Sequence, residues 1–561
     1  MDKSVRKDNE MTAYYTDEKN TQILIALLKG HGIRKVIASP GTTNISFVKS
    51  VQNDPFFEIY SSVDERSAAY IACGLAAESG EPVVLSCTGA TASRNYMPGL
   101  TEAFYRKLPI LAVTSTQETI KVGHHVAQTL DRSTMPNDVV KYSVELPIIK
   151  DDEDWWSCEV KANSAILELN RHGGGPVHIN LETRFSRSFE TQELPKVRVI
   201  KRITQSGDFP PLPNGRIAVL IGSHKKMTKE QISAIENFCK SNNAVAFCDH
   251  TSGYKGRYSV IHSLSSSQKL TELNNLRPDL SIHIGEITGD YSSSRIVGKE
   301  VWRVNEDGEL RDTFRKLQYV FEMPEQEFFN HYAKNDTVND QYLKKCNDCL
   351  DQLYNKIPDL PFGNIWIAKK MHKLLPANSA IHFGILNSLR SWNFFRLPET
   401  VDSNCNVGGF GIDGCVSSLI GASLANKDKL YFGIVGDLAF FYDLNAIGNR
   451  HIGNNLRILL VNNGIGTEFK NYNHMAAVFG DSADEFIAAK GHFGSKSKTL
   501  VKHYSQSLGF EYLSASSKEE FEQVYERFLT DKMLEKPILF EVFTNSEDES
   551  KALKIMRSIL S

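Results

Sequence analysis

A chain of 561 residues is too long for one hydrophobic core, so about two to four domains are expected. Hydrophobic residues make up 41 % and charged residues 23 %, the balance of an ordinary globular protein, and a net charge of -3 leaves no basic field to attract nucleic acid. No run reaches the roughly 18 apolar residues that span a bilayer, and the first residues lack the apolar core of a secretory signal; a cytoplasmic protein with neither membrane nor nucleic-acid partners is expected.

In chain order, residues 17–30 predict an amphipathic helix starting near Thr16 or Asp17. A short apolar strand at 35–41 follows and ends in a Pro-Gly turn. The cycle repeats with helix 65–79, strand 82–87, helix 95–105 and strand 109–115, and closes near 190 after a strand at 175–181. Short apolar strands separated by helices predict a parallel sheet covered on both faces. Polar, Pro-rich residues 190–212 read as a linker.

A second αβ domain is expected over 213–345, with strands at 217–223, 244–249 and 280–285. The loop after its first strand, SHKKMT, lacks a dinucleotide fingerprint, so FAD is not expected. Residues 330–358 read as a charged helical connector. A third domain, 360–561, carries strands at 379–384, 430–437, 457–464 and 537–543 and a Gly-rich stretch, NVGGFGIDG, at 406–414. The fold class is therefore α/β: three doubly wound parallel-sheet domains, the outer two related in fold. Nine scattered cysteines, several in apolar runs, predict buried thiols, and the lone pair Cys346 and Cys349 has no second pair with which to bind zinc.

Two places carry chemistry. In the third domain Gly436-Asp437 ends one apolar strand and Asn462-Asn463 ends the next, with FYDLNAIGNRHI as a helix between them. This places a carboxylate and an amide at neighbouring strand tips on the carboxyl edge, where parallel sheets bind ligands. One carboxylate, one amide oxygen and one backbone carbonyl suit magnesium carrying a diphosphate. Gly436 lets the backbone approach, and the following helix N-terminus favours anions. Each dipeptide alone is also an ordinary turn. In the first domain VDERSAAYIACGLAAES puts Glu65 at a helix start, where Asp64-Glu65 also simply suit the helix dipole.

Together these motifs resemble the thiamine-diphosphate enzymes, over nearly the whole chain, and GIDG with GDLAFFYDLNAI looks most like the menaquinone-pathway synthases that join a succinyl semialdehyde unit to isochorismate. The resemblance implies pyrimidine-binding (1–190), central (213–345) and diphosphate-binding (360–561) domains. It implies thiamine diphosphate and Mg2+ (or Mn2+) as cofactors, with Asp437, Asn463 and the carbonyl of Ile465 as metal ligands. Gly436, Leu438 and Ala439 would meet the diphosphate, Ala439 standing where that branch tends to have Ser. Ile412 would prop the bent cofactor, and Glu65 would activate its aminopyrimidine ring. A further implication is a homodimer or homotetramer whose active site lies at the subunit interface.

Departures from that branch are equally informative. Arginines suited to carboxylate substrates are replaced by Thr43, Gln117 and Val407, while Gln128 keeps its glutamine. The layout is retained and the substrates are expected to differ. His124-His125 resembles the proton-relay pair of pyruvate decarboxylases or is two surface residues. Arg390 offers a cation for a substrate anion or is a plain surface arginine; Arg66 and Arg94 are weaker candidates of that kind. The leading expectation is a carboligase that decarboxylates a 2-oxo acid and passes the product carbanion to an unidentified acceptor. The alternatives are a simple decarboxylase releasing an aldehyde and a scaffold that has lost the chemistry.

Overall fold

The computed structural model describes residues 14–269, 273–333, 339–492 and 495–560. Three sheets account for its strands, and the first and third share one plan. The first runs Glu58–Ser61, Lys35–Ala38, Val83–Thr88, Ile110–Thr116, Val177–Glu182, Tyr142–Leu146, parallel throughout. The third runs Asp402–Cys405, Ala380–Phe383, Tyr431–Gly436, Leu456–Asn462, Ile538–Phe543, Glu511–Ala515, also parallel. Numbered along the chain, both orders are second, first, third, fourth, sixth, fifth. In each, the winding reverses between the first and third strands, and a crevice opens there at the carboxyl ends.

These strands form because they are apolar on both faces. In the first sheet Val36, Val84, Leu111, Val113 and Ile179 join one core cluster, while their chain neighbours Ile37, Val83, Leu85, Ile110 and Ala112 join another. The two-residue period of a strand sends alternate side chains to opposite helix layers.

Element boundaries follow the sequence expectation with local exceptions. The first helix is Lys19–Gly30 and the third Glu65–Ser79. The helix expected over 95–105 is divided into Thr91–Asn95 and Met97–Arg106, because Pro98 sits in the first turn of the second piece and cannot donate to the turn before it. The helix expected after Asp437 is short, Asp437–Tyr442, and continues as a 3-10 turn, Leu444–Gly448. Asp443 interrupts it: its carboxylate accepts from Ser417 N and Oγ at 2.5 and 2.6 Å. Within the expected linker, Lys201–Thr204 is a strand.

The chain divides into two compact units, 1–203 with 309–320, and 204–308 with 321–561. Segment 309–320 is anchored in the first, where Asp312 accepts from Trp156 Nε1 at 2.9 Å. The second unit holds the parallel strands Ile217–Ile221, Ala244–Cys248, Ser259–Ile261, Leu280–Ile284 and Glu300–Asn305 as well as the third sheet. Among the described residues no helix is long and apolar enough to cross a membrane.

Candidate active site

Two regions carry the predicted residues. In the first unit Asp64 caps helix Glu65–Ser79, accepting from Arg66 N at 3.1 Å and Ser67 Oγ at 2.6 Å. This leaves the Glu65 carboxylate half-buried on the first turn, where Asn95 Nδ2 approaches it at 3.4 Å. Asn95 ends the short helix Thr91–Asn95 that follows strand Val83–Thr88, so the strand-to-helix turn delivers a partner to Glu65. The inner face of the Glu65 helix is small (Ala68, Ala69, Ala72, Ala76), and a Cβ on Gly99 would lie 2.4 Å from Ala69 Cβ; two helices pack here at close range. Its outer side and the preceding turn leave Val63, Tyr70 and Ile71 exposed, at 79, 48 and 50 %.

The remaining first-unit candidates are spread out. Thr43 is buried and committed inward: its Oγ1 meets Thr88 Oγ1 and donates to the Ser115 carbonyl at 2.6 Å. Gln117 Oε1 accepts from Lys121 Nζ at 3.3 Å. His124, His125 and Gln128 share one exposed loop, with His125 and Gln128 at φ 58° and 63°, left-handed settings that non-glycine residues adopt at a cost. One residue gave no signal in the sequence. Arg132 is buried, donates through Nη2 to Asn180, and keeps Nε and Nη1 without a partner. Burial pushes its guanidinium down to about 10. Gly89 admits it, since a Cβ there would lie 2.1 Å from Nη1.

In the second unit the tips of Tyr431–Gly436 and Leu456–Asn462 lie side by side, Gly436 opposite Val461. Asp437 begins its helix and is buried, with Oδ1 accepting from Leu438 N at 2.8 Å and Oδ2 from Gly464 N at 2.6 Å. Only neutral backbone donors face it. Burial therefore pushes its carboxyl up to about 6. A carboxylate stripped of water without a cation fits a metal site. The space around Gly436 fits as well: a Cβ there would meet nothing within 4 Å.

The paired asparagines have separate tasks. Asn462 points down, its Nδ2 donating to Glu541 Oε1 at 2.7 Å, and Tyr512 OH donates to Glu541 Oε2 at 2.8 Å. Asn463 is left at the loop, its Oδ1 3.4 Å from Ile465 N. Glu541 is a further buried acid whose carboxyl is raised by burial despite these bonds, the Asp437 charge adding to it. Sequence reasoning passed over it; its one signal is a glutamate in the otherwise apolar strand PILFEVF. Leu438 and Ile412 are half-buried, Ala439 and Ile465 buried, and Ile412 packs against a core cluster of the third sheet.

Val407, one of the replaced arginine positions, and Arg390 differ in kind. Val407 is buried, and a Cβ on Gly289 would touch both it and Leu389, so its surroundings are apolar. Arg390, on helix Asn387–Trp392, is not a surface residue: its Nη1 donates to Glu468 and its guanidinium lies 4.0 Å from the Tyr291 ring centre.

The family model for the N-terminal thiamine pyrophosphate-binding domain of thiamine pyrophosphate enzymes matches residues 19–135. The chain is 32 % identical to the 2-succinyl-5-enolpyruvyl-6-hydroxy-3-cyclohexene-1-carboxylate synthase of Bacteroides fragilis, covering 96 % of this chain and 98 % of the relative. The same enzyme of Bacteroides thetaiotaomicron is 32 % identical with the same coverage, and that of Phocaeicola vulgatus 31 % identical over 96 % and 98 %.

Proposed function

We infer the reaction from one premise: the chain belongs to the 2-succinyl-5-enolpyruvyl-6-hydroxy-3-cyclohexene-1-carboxylate synthase family of thiamine pyrophosphate enzymes. It is a thiamine-diphosphate-dependent enzyme that decarboxylates a 2-oxo acid and transfers the remaining carbanion unit to an acceptor. When bound, thiamine diphosphate supplies the nucleophilic carbon and the electron sink for both steps.

The observation that carries the site assignment is the buried Asp437 at the switch point of the third sheet, faced only by backbone donors. Asp437, Asn463 Oδ1 and the Ile465 carbonyl would hold Mg2+ or Mn2+. Gly436 leaves room for the diphosphate, Leu438 and Ala439 line it, and Ile412 supports the thiazolium side. Glu541 positions Asn462 and so keeps Asn463 as the amide turned to the metal. Glu65 would share a proton with the aminopyrimidine.

Regions 1–190, 213–345 and 360–561 take the pyrimidine-binding, central and diphosphate-binding roles. The protein works in the cytoplasm as a dimer or tetramer, with one chain giving Glu65 and another Asp437. The exposed Val63, Tyr70 and Ile71 beside Glu65 support such an interface. The acceptor differs from that of the named relatives, because Thr43 is committed to internal bonds and Val407 is apolar.

Calorimetric titration with thiamine diphosphate and magnesium tests the reading. Wild type and Glu65→Gln should bind, and Asp437→Ala should not. Absence of binding to wild type under any metal condition would remove the assignment. A second reading, plain aldehyde release, is favoured by His124 and His125 on their exposed loop. Replacing both with Ala should then sharply lower aldehyde output, and unchanged output rejects it.

A further inference from the structure

We propose that Arg132 is a positioning residue for cofactor activation: its guanidinium, seated against Gly89, holds the turn at 88–95 so that Asn95 fixes the Glu65 carboxylate in its working orientation. The proposal rests on the thiamine-diphosphate reading and deepens it by one residue that neither sequence motif contains.

The first sheet brings three strand tips to one place. Val83–Thr88, Ile110–Thr116 and Val177–Glu182 are neighbours, with Thr88 opposite Ser115 and Thr114 opposite Asn180. The Arg132 guanidinium spans all three. Its Nη2 donates to Asn180 on the last of them. A Cβ on Gly89, just past the first, would lie 2.1 Å from Nη1 and 2.6 Å from Nη2, and 2.6 Å from the Ser115 carbonyl of the middle strand. Glycine alone leaves room for so close an approach. A planar guanidinium with donors in a fixed fork suits a bridge of this kind, and the point-like head of a lysine does not.

From this bridge the contacts lead to Glu65. Arg94 Nη2 donates to the Asp131 carbonyl at 2.9 Å, which ties the short helix Thr91–Asn95 to the residue just before Arg132. Ser93 Oγ donates back to the Gly89 and Ala90 carbonyls at 2.8 and 2.7 Å and closes the turn on itself. A helix of five residues has no stability of its own, so contacts from outside set its direction. Its last residue, Asn95, is the one hydrogen-bond partner of Glu65 among the described residues, Nδ2 to Oε2 at 3.4 Å. With Oε2 met by the amide, Oε1 is left to share a proton. The segment that Arg132 ends also carries His124, His125 and Gln128.

Keeping this cation inside is costly. Arg132 is 4 % exposed, and its Nε and Nη1 are buried with no hydrogen-bond partner. The groups around it are uncharged: burial pushes the Cys87 thiol up to about 12 and the His178 imidazole down to about 3. Glu145, the acid that acts on it, is engaged by Thr119 Oγ1 at 2.8 Å, and Arg94 adds a like charge. An apolar side chain of similar volume would fill the space with less desolvation. Stability alone therefore gives no reason for an arginine at this position, whereas fixing three strand tips and the turn above them does.

Arg132→Met removes the charge and the fork while keeping most of the volume. In the full chain without cofactor, amide hydrogen exchange read by mass spectrometry should quicken about tenfold or more over residues 88–96 and stay near wild type over 456–462. With thiamine diphosphate and magnesium, the calorimetric Kd should stay within about threefold of wild type, because Asp437 and Asn463 are untouched. Deuterium exchange at C2 of the bound cofactor, followed by NMR after acid quench, should slow by roughly 10- to 100-fold. A residue that only stabilised the fold would raise amide exchange everywhere and would not separate affinity from C2 exchange. Should Arg132→Met fail to fold, Asn180→Ala removes the guanidinium's acceptor and should move both readings in the same direction. Unchanged amide exchange over 88–96, an equal rise in every segment, or unchanged C2 exchange in a folded variant overturns the proposal. A wild type that binds no thiamine diphosphate removes the thiamine reading and the activation role with it; the cofactor-free amide exchange then still decides whether Arg132 holds the turn.

Discussion

The first and third sheets have the same strand order, yet their carboxyl edges are chemically opposite. In the third, Asp437 is sealed from water and its carboxyl is held up at about 6. In the first, Glu65 sits half-buried at a helix start, beside an exposed apolar turn and helix side. One topology thus holds an enclosed carboxylate in one place and an open one in the other. The difference lies in which strand carries the acid. Asp437 follows an interior strand of its sheet, flanked on both sides, whereas Glu65 follows the edge strand Glu58–Ser61, whose residues are all exposed.

The largest test of this contrast is Glu65→Gln. An activating carboxylate should cost about 10²–10⁴-fold in kcat when neutralised, with thiamine-diphosphate affinity little changed. A parallel loss of affinity would make Glu65 an anchor as well and dissolve the distinction. Asp437→Ala should do the reverse, weakening cofactor binding by about a hundredfold or more in calorimetry. Retained binding would move the anchor elsewhere on the edge.

Glu549 sharpens the buried side of the comparison. Burial pushes its carboxyl from 4.5 up to about 7. The folded state then holds a proton that the unfolded state releases, so stability is greatest below pH 4.5 as far as this group is concerned and falls as pH rises toward 7. The loss is on the order of 2–3 kcal/mol. Urea melts of wild type and Glu549→Gln between pH 5 and 7 should differ in slope, the variant being flatter; equal slopes reject the assignment.

Glycine pairs give the smallest expected effect. Gly99→Ala should destabilise by about 1–3 kcal/mol, because its Cβ meets Ala69 at 2.4 Å. Gly436→Ala meets nothing, so its melting temperature should hold while its affinity for thiamine diphosphate falls. A melting temperature equally lowered in both would show that the space at Gly436 is needed for folding.

Much of this was legible in the residues. The alternation of short apolar strands with helices announced parallel sheets, because a strand buried on both faces is apolar at most positions, as VVLSC and ILAVTS are. Asp437 and Asn463 were legible because strand ends are marked by glycine and asparagine. Other features were hidden by distance along the chain. The break at Asp443 depends on Ser417, 26 residues away, whereas the split of 95–105 was marked by Pro98 in the sequence itself. Arg132 lies in a polar loop that reads as exposed, and only the small Gly89 brings its guanidinium inside.

By itself the sequence determined the α/β class, which depends on periodicity, and, through the motifs around Glu65, Asp437 and Asn463 and the family they resemble, it pointed to thiamine-diphosphate chemistry. Tertiary structure alone decided the identical winding of the outer sheets, the separate tasks of Asn462 and Asn463, and the pairing of Arg390 with Glu468 under Tyr291. Each depends on which strand tips become neighbours. Burial and charge compensation are set by contacts between residues tens to hundreds of positions apart, and local pattern carries no record of those distances.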